Sequence, residues 1–225
     1  MARKDIAPVY VETEQYKCCY KKEVGVLDKK CLVGLTGQSG AGKSIVAEAF
    51  RECGYEVINA DDVAHKIQTS EGVVARLVEM FGDTVSADDG ALNRKALAEI
   101  VFSDKHQLAK LNQFMFPLVL RRVIEIALSS DKKYILLDAP QLLESKAKEL
   151  CCFTVAVIAP EDVLVDRIVK RDGISKEMAE KRLSCQHTRR FFKRHCDWVI
   201  ENDSSVDALN ELAADVANAV MKYYK

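Results

Sequence analysis

The stretch GQSGAGKS, Gly37 to Ser44, decides the fold. It matches G-x-x-x-x-G-K-[ST], with Gly37 and Gly42 as the fixed glycines. Such a loop turns backbone N–H groups toward a polyphosphate, so side chains are expected to be absent where the main chain approaches it. Lys43 would carry an ammonium to the β and γ phosphates, and the Ser44 hydroxyl would ligate Mg²⁺. A helix opening at Ser44 would add the positive end of its dipole. The flanks agree with this reading. Cys31 to Thr36 is a short apolar run of the kind a buried parallel strand requires. Ile45, Val46, Ala49 and Phe50 then recur at helical spacing.

Working outward, four more runs read as strands: Tyr55 to Ala60, Lys133 to Asp138, Phe153 to Ala159 and Asp197 to Asn202. With helices between them, they predict an α/β fold of the nucleoside-triphosphate-hydrolase type, with a five-stranded parallel sheet flanked by helices. Asp61 and Asp62 follow the second strand where a helix opens. Either can cap that helix, and one can cap while the other reaches a ligand at the carboxyl edge of the sheet. Asp138 ends the third strand in the position of a carboxylate on the magnesium side, and a turn cap is the plainer reading. Helical patterns over 72–81, 94–102 and 107–128 make an insertion of about 62–130, which in a kinase would hold the acceptor. The last of these is expected to be interrupted or kinked near Pro117. Pro160 to Gly173 and a helix capped by Ser175, with Met178 at N3, lead into a basic region. Arg167, Arg171, Arg182, Arg189, Arg190, Lys193 and Arg194 concentrate charge there, which suits a lid of about 171–196 closing over ATP. Val206 to Tyr223 forms a closing amphipathic helix.

The 225 residues suit one domain at 31–225, preceded by an extension at 1–30 that carries no chemistry of its own. Within that extension, Val9 to Thr13 alternates as an edge strand would. A formal net charge of −1 argues against a broad nucleic-acid footprint. No apolar run approaches the roughly 20 residues that cross a bilayer. The opening residues contain no apolar segment of a secretory signal, so a cytoplasmic protein is expected. The eight cysteines include two vicinal pairs, Cys18-Cys19 and Cys151-Cys152. That spacing suits reduced thiols better than bridges or zinc.

In order along the chain, these segments resemble the dephospho-CoA kinase family, from Leu32 to about Tyr223. VGLTGQSGAGKSIVA is similar to that family's opening loop and VINADDVAH to its V-I-D-A-D motif. LNRKALAEIVF and LLDAPQLLE resemble two further family segments, the second its P-L-L-x-E motif. RIVKRDGISKEMAEKRLSCQ is similar to the lid entry, and CDWVIEN to the closing strand A-D-x-V-I-x-N. The resemblance implies a transferase that phosphorylates the ribose 3′-hydroxyl of dephospho-CoA with ATP and Mg²⁺, in coenzyme A biosynthesis. It implies Asp61 as catalytic base and Gly40, Ala41, Gly42, Lys43, Ser44 and Ile45 as the ATP loop. Arg171 and Gln186 would lie near ATP, and Arg94 on the acceptor side. The chain departs from the family at Asn59, which replaces the first Asp of D-A-D, and at Phe116, Gln141 and Gln38-Ser39. Another small-molecule kinase, for a nucleoside or nucleotide, is the nearest alternative, and an ATP-driven switch a more distant one. Neither nucleic acid nor membrane is an expected partner, and oligomeric state leaves no signal in the sequence.

Overall fold

The computed structural model describes residues 29–224. The alternating run Val9 to Thr13, expected as an edge strand, a hairpin or a loose arm, and the Cys18-Cys19 pair lie outside them. The chain divides into two compact units. Among the described residues, one comprises 60–125 and the other 29–59 with 126–224.

The larger unit is built on a parallel sheet of five strands, in the order β2-β3-β1-β4-β5. These are β1 (Cys31–Gly37), β2 (Glu56–Asn59), β3 (Tyr134–Asp138), β4 (Phe153–Ile158) and β5 (Trp198–Glu201). All five predicted strands are present, each trimmed or extended by a residue or so. All seven residues of the central strand β1 are buried, because helices cover both faces. On one face, Val33 and Leu35 pack in a cluster with Val46, Ala49 and Phe50 of α1 (Lys43–Glu52). Leu209, Ala213, Val216 and Val220 of α9 (Val206–Tyr223) join the same cluster. Tyr55 is buried there and donates its hydroxyl to the Ala217 carbonyl at 2.9 Å. Elsewhere Ala156 and Ile158 of β4 cluster with Phe192. At the start of β5, the Asp197 carboxylate accepts from the Thr154 N–H at 2.8 Å and from its hydroxyl at 2.6 Å, which pins this edge strand to β4.

The smaller unit is helical: α2 (Ala60–Gln68), α3 (Glu71–Phe81), α4 (Arg94–Ser103) and the greater part of α5 (Lys105–Ser129). Leu77, Val85, Leu97 and Val101 form its core, with Val73, Val78, Phe81 and Ile100 packed against them. Two expectations need correction. The long helix is not interrupted: α5 continues through Pro117. A proline removes one i→i−4 hydrogen bond, and the buried residues on both sides, Met115, Leu120 and Val123, hold the helix across that gap. Asp61 and Asp62 do not precede their helix as caps: α2 opens at Ala60, so both lie inside its first turn. Acidic side chains there still complement the helix dipole.

In the larger unit three more helices complete the chain: α6 (Glu161–Asp172), α7 (Lys176–Ser184) and α8 (Arg189–His195). Gly173 closes α6 at φ 64°, and Ser175 caps α7 by accepting from the Met178 N–H, both as the sequence predicts.

Candidate active site

Because the sheet is parallel, the carboxyl ends of all five strands meet one edge, where open α/β sheets bind ligands. The loop from Gly37 leaves β1 at that edge and enters α1 at Lys43. Its glycines answer to protein neighbours. Gly37 lies opposite Val157 in the β1–β4 register and has φ 137°. A Cβ at Gly37 would stand 2.0 Å from the Val157 carbonyl oxygen. Gly42 has φ 101°, and a Cβ there would stand 2.7 Å from Asn202 Nδ2.

Lys43 donates its ammonium to the Gly37 carbonyl at 3.1 Å and the Gln38 carbonyl at 3.2 Å, so its charge lies over the loop. Ser44 is exposed in the first turn of α1. The Ile45 and Val46 N–H groups both donate to the Gly42 carbonyl, which starts the helix tightly behind the loop. From the basic region, Gln186 Oε1 accepts from the Ser39 N–H at 2.9 Å. Arg171 Nη2 reaches the Ser39 hydroxyl at 3.3 Å. Residues 132 and 147 positions away in sequence thus converge on Ser39. Arg171 also pairs with Asp172, which is bonded in turn by Arg182. The Arg171 guanidinium first, with Arg182 helping, draws the Asp172 carboxyl down to about 2. The stabilising pair is therefore complete above the ordinary carboxylate range and is lost only as pH falls through about 2.

Asp138 ends β3, beside Leu35 of β1 on one side and Asn59 of β2 on the other. Asn59 Nδ2 donates to Asp138 Oδ2 at 3.4 Å. The Asn59 amide thus offers its neighbour a donor where a carboxylate would add a second negative charge.

The smaller unit carries the remaining candidates. Asp61 is exposed, the second residue of α2. Arg94 opens α4 behind its cap Asn93, whose side chain accepts from the Ala96 N–H. Arg94 hydrogen-bonds His65 Nδ1 and donates to the His65 carbonyl at 3.4 Å. His65 stands four residues after Asp61, on the same helical face one turn on. Arg94 is therefore seated one turn along α2 from Asp61.

Asn202, which donates Nδ2 to the Ala41 carbonyl at 2.8 Å, was not among the candidate site residues, and Arg167, read only as part of the basic cluster, reaches the Gly40 carbonyl at 3.4 Å. Two signals were available for Asn202: its place at the carboxyl end of the last strand, and its match to the closing Asn of the family's A-D-x-V-I-x-N segment.

The family model for dephospho-CoA kinase matches residues 31–208. A dephospho-CoA kinase of Fusobacterium nucleatum is 35% identical over 178 residues, covering 79% of this chain and 92% of that protein. A crystal structure from Thermus thermophilus superposes with a TM-score of 0.73 at 31% identity, covering 85% of this chain and 98% of that one. The dephospho-CoA kinase from Campylobacter jejuni gives a TM-score of 0.57 at 25% identity over 85% and 98% of the two chains. With a phosphate loop built at the sheet edge and a family model that runs through every strand, this chain belongs to the dephospho-CoA kinase family.

Proposed function

We infer that the chain moves the γ-phosphoryl group of ATP to the ribose 3′-hydroxyl of dephospho-CoA, giving coenzyme A and ADP. The observation that carries this reading is the loop of a family kinase, packed closely at Gly37 and Gly42, with Lys43 lying over it. Phosphoryl transfer is mostly positioning and electrostatic stabilisation, and each candidate fits one part of that work. Lys43 would swing from the loop carbonyls to the β and γ phosphates. Gly40, Ala41, Gly42, Ser44 and Ile45 would present the loop backbone and helix N-terminus to the same groups. Arg171 and Gln186, already on Ser39, would close over the nucleotide.

On the acceptor side, Asp61 would take the proton of the 3′-hydroxyl. The freed oxygen would bond to the γ-phosphorus as the bond to the bridging oxygen breaks, and that electron pair would leave with ADP. Arg94 would hold an anionic part of dephospho-CoA near Asp61. Ser44 and Asp138 offer hard oxygen donors of the type Mg²⁺ takes, and that ion keeps most of its shell as water and phosphate oxygens. When bound, it would neutralise charge on the β and γ phosphates.

The test is ADP release with ATP and Mg²⁺ in the presence of dephospho-CoA, beside adenosine, AMP and pantetheine as acceptors. Dephospho-CoA should be the acceptor that supports turnover, with one phosphate added at the ribose. Faster transfer to AMP or adenosine would establish a nucleotide or nucleoside kinase instead. ADP release without any acceptor would point to an ATP-driven switch.

A further inference from the structure

We propose that Asn202 is a positioning residue, which orients the phosphate loop by holding the Ala41 carbonyl. The proposal rests on reading Gly37 to Ile45 as the ATP loop. Asn202 follows β5 and is buried at 3% exposure. Its backbone N–H donates to the Ile158 carbonyl at 2.8 Å, so the residue is fixed to the end of β4. From there Nδ2 donates to the Ala41 carbonyl at 2.8 Å. Arg167 of α6 donates Nη2 to Asn202 Oδ1 at 3.5 Å and Nη1 to the Gly40 carbonyl at 3.4 Å. The amide is thereby oriented with its donor toward the loop. Gly42 leaves the space for it, since a Cβ there would fall 2.7 Å from Nδ2.

The consequence follows from peptide geometry. In a trans peptide the C=O of one residue and the N–H of the next point in opposite directions. All peptides here are trans among the described residues. Drawing the Ala41 carbonyl onto Asn202 therefore aims the Gly42 N–H the opposite way. Holding the Gly40 carbonyl on Arg167 does the same for its own peptide plane. A side chain 161 residues away thus sets the direction of a main-chain donor in the loop. Without it, the peptide between Ala41 and Gly42 would be free to rotate, and the loop would lose preorganisation before ATP arrives.

Two variants test this, Asn202→Ala and Asn202→Asp. Asp has the shape of Asn and lacks the donor. Both should raise the KM for ATP about tenfold, the worth of one hydrogen bond to a buried carbonyl, while the KM for dephospho-CoA stays within about twofold. A purely structural role would instead lower the fraction of folded enzyme and leave both KM values alone. That result, or wild-type ATP affinity in Asn202→Asp, would overturn the proposal. Should the alanine variant fail to fold, the isosteric aspartate carries the test. Lys43→Ala serves as the reference. If Lys43→Ala loses transfer while the Asn202 variants behave as wild type, the loop reading stands and the role of Asn202 falls. If Lys43→Ala is also fully active, the loop reading falls with it.

Discussion

The phosphate loop and the proposed acceptor residues of this kinase are built in different ways. In the larger unit, the loop is held through its own backbone: Asn202 on Ala41, Arg167 on Gly40, Gln186 on Ser39, and Val157 pressed against Gly37. Those partners come from the sheet edge and from two helical regions, so the loop has little freedom. In the smaller unit, the candidate residues are side chains carried on helices, Asp61 exposed and Arg94 half-buried. Asp61 lies in the first turn of α2, and the Arg94 guanidinium is seated on the His65 ring and carbonyl. Binding a polyphosphate, the same in every ATP, rewards a rigid backbone cradle. Choosing one acceptor rewards side chains on a separate scaffold, which can vary without disturbing the cradle.

The strongest way to break the comparison is to enlarge a cradle glycine. Gly37→Ala forces a Cβ to within 2.0 Å of the Val157 carbonyl at φ 137°, so β1 must part from β4 at the centre of the sheet. It should cost about 4 kcal/mol or more, read as a large fall in melting temperature or loss of soluble protein. A near-wild-type melting temperature would show that the cradle yields more easily than its geometry implies.

Lys43→Ala separates chemistry from fold. Its ammonium contacts two loop carbonyls and enters no core cluster, so the variant should fold. Transfer should drop by about a hundredfold or more, as is typical when a preorganised charge is removed from a transition state. Near-normal turnover in a folded variant would remove the loop from the mechanism.

Arg171→Ala sharpens the boundary between the two sides. Arg171 is exposed and touches Ser39, so its loss should raise the ATP requirement roughly tenfold. Dephospho-CoA binding to the free enzyme should change little. Stability should change little, since Arg171 and Asp172 are both exposed residues. Calorimetry showing acceptor binding lost and ATP binding intact would place Arg171 on the wrong side.

Much of the larger unit was legible because its signals are contiguous. Cys31 to Thr36 is apolar without alternation, which a strand buried on both faces requires, and GQSGAGKS follows directly. Val206 to Tyr223 shows an apolar stripe and is one helix with those bounds. What the sequence left unseen or misplaced depended on contacts far away in sequence or on small balances of energy. Gly37 and Gly42 suggested room for a phosphate, and the structure shows them making room for Val157 and Asn202 as well. Nothing local to residues 157 or 202 announces that. Pro117 suggested an interruption or a kink, and the helix is not interrupted there: one missing hydrogen bond is a small loss in a 25-residue helix with buried residues on either side. The pair Asp61-Asp62 suggested a cap, and the shift of one or two residues at a helix start put both inside the first turn.

The claim that the two sides divide the work is tested most directly by Asp61→Asn, with Asp62→Asn as its neighbour, assayed at saturating ATP alongside ATP binding. Both residues lie in the first turn of α2, about 100° apart around its axis. Asp61→Asn should bind ATP as the wild type does, because the cradle is untouched, and should transfer phosphate to dephospho-CoA about a hundredfold more slowly or worse. Asp62→Asn should lose on the order of 1 kcal/mol of stability and keep most of its turnover. Loss of ATP binding in Asp61→Asn, or a dead Asp62→Asn beside an active Asp61→Asn, would contradict the account.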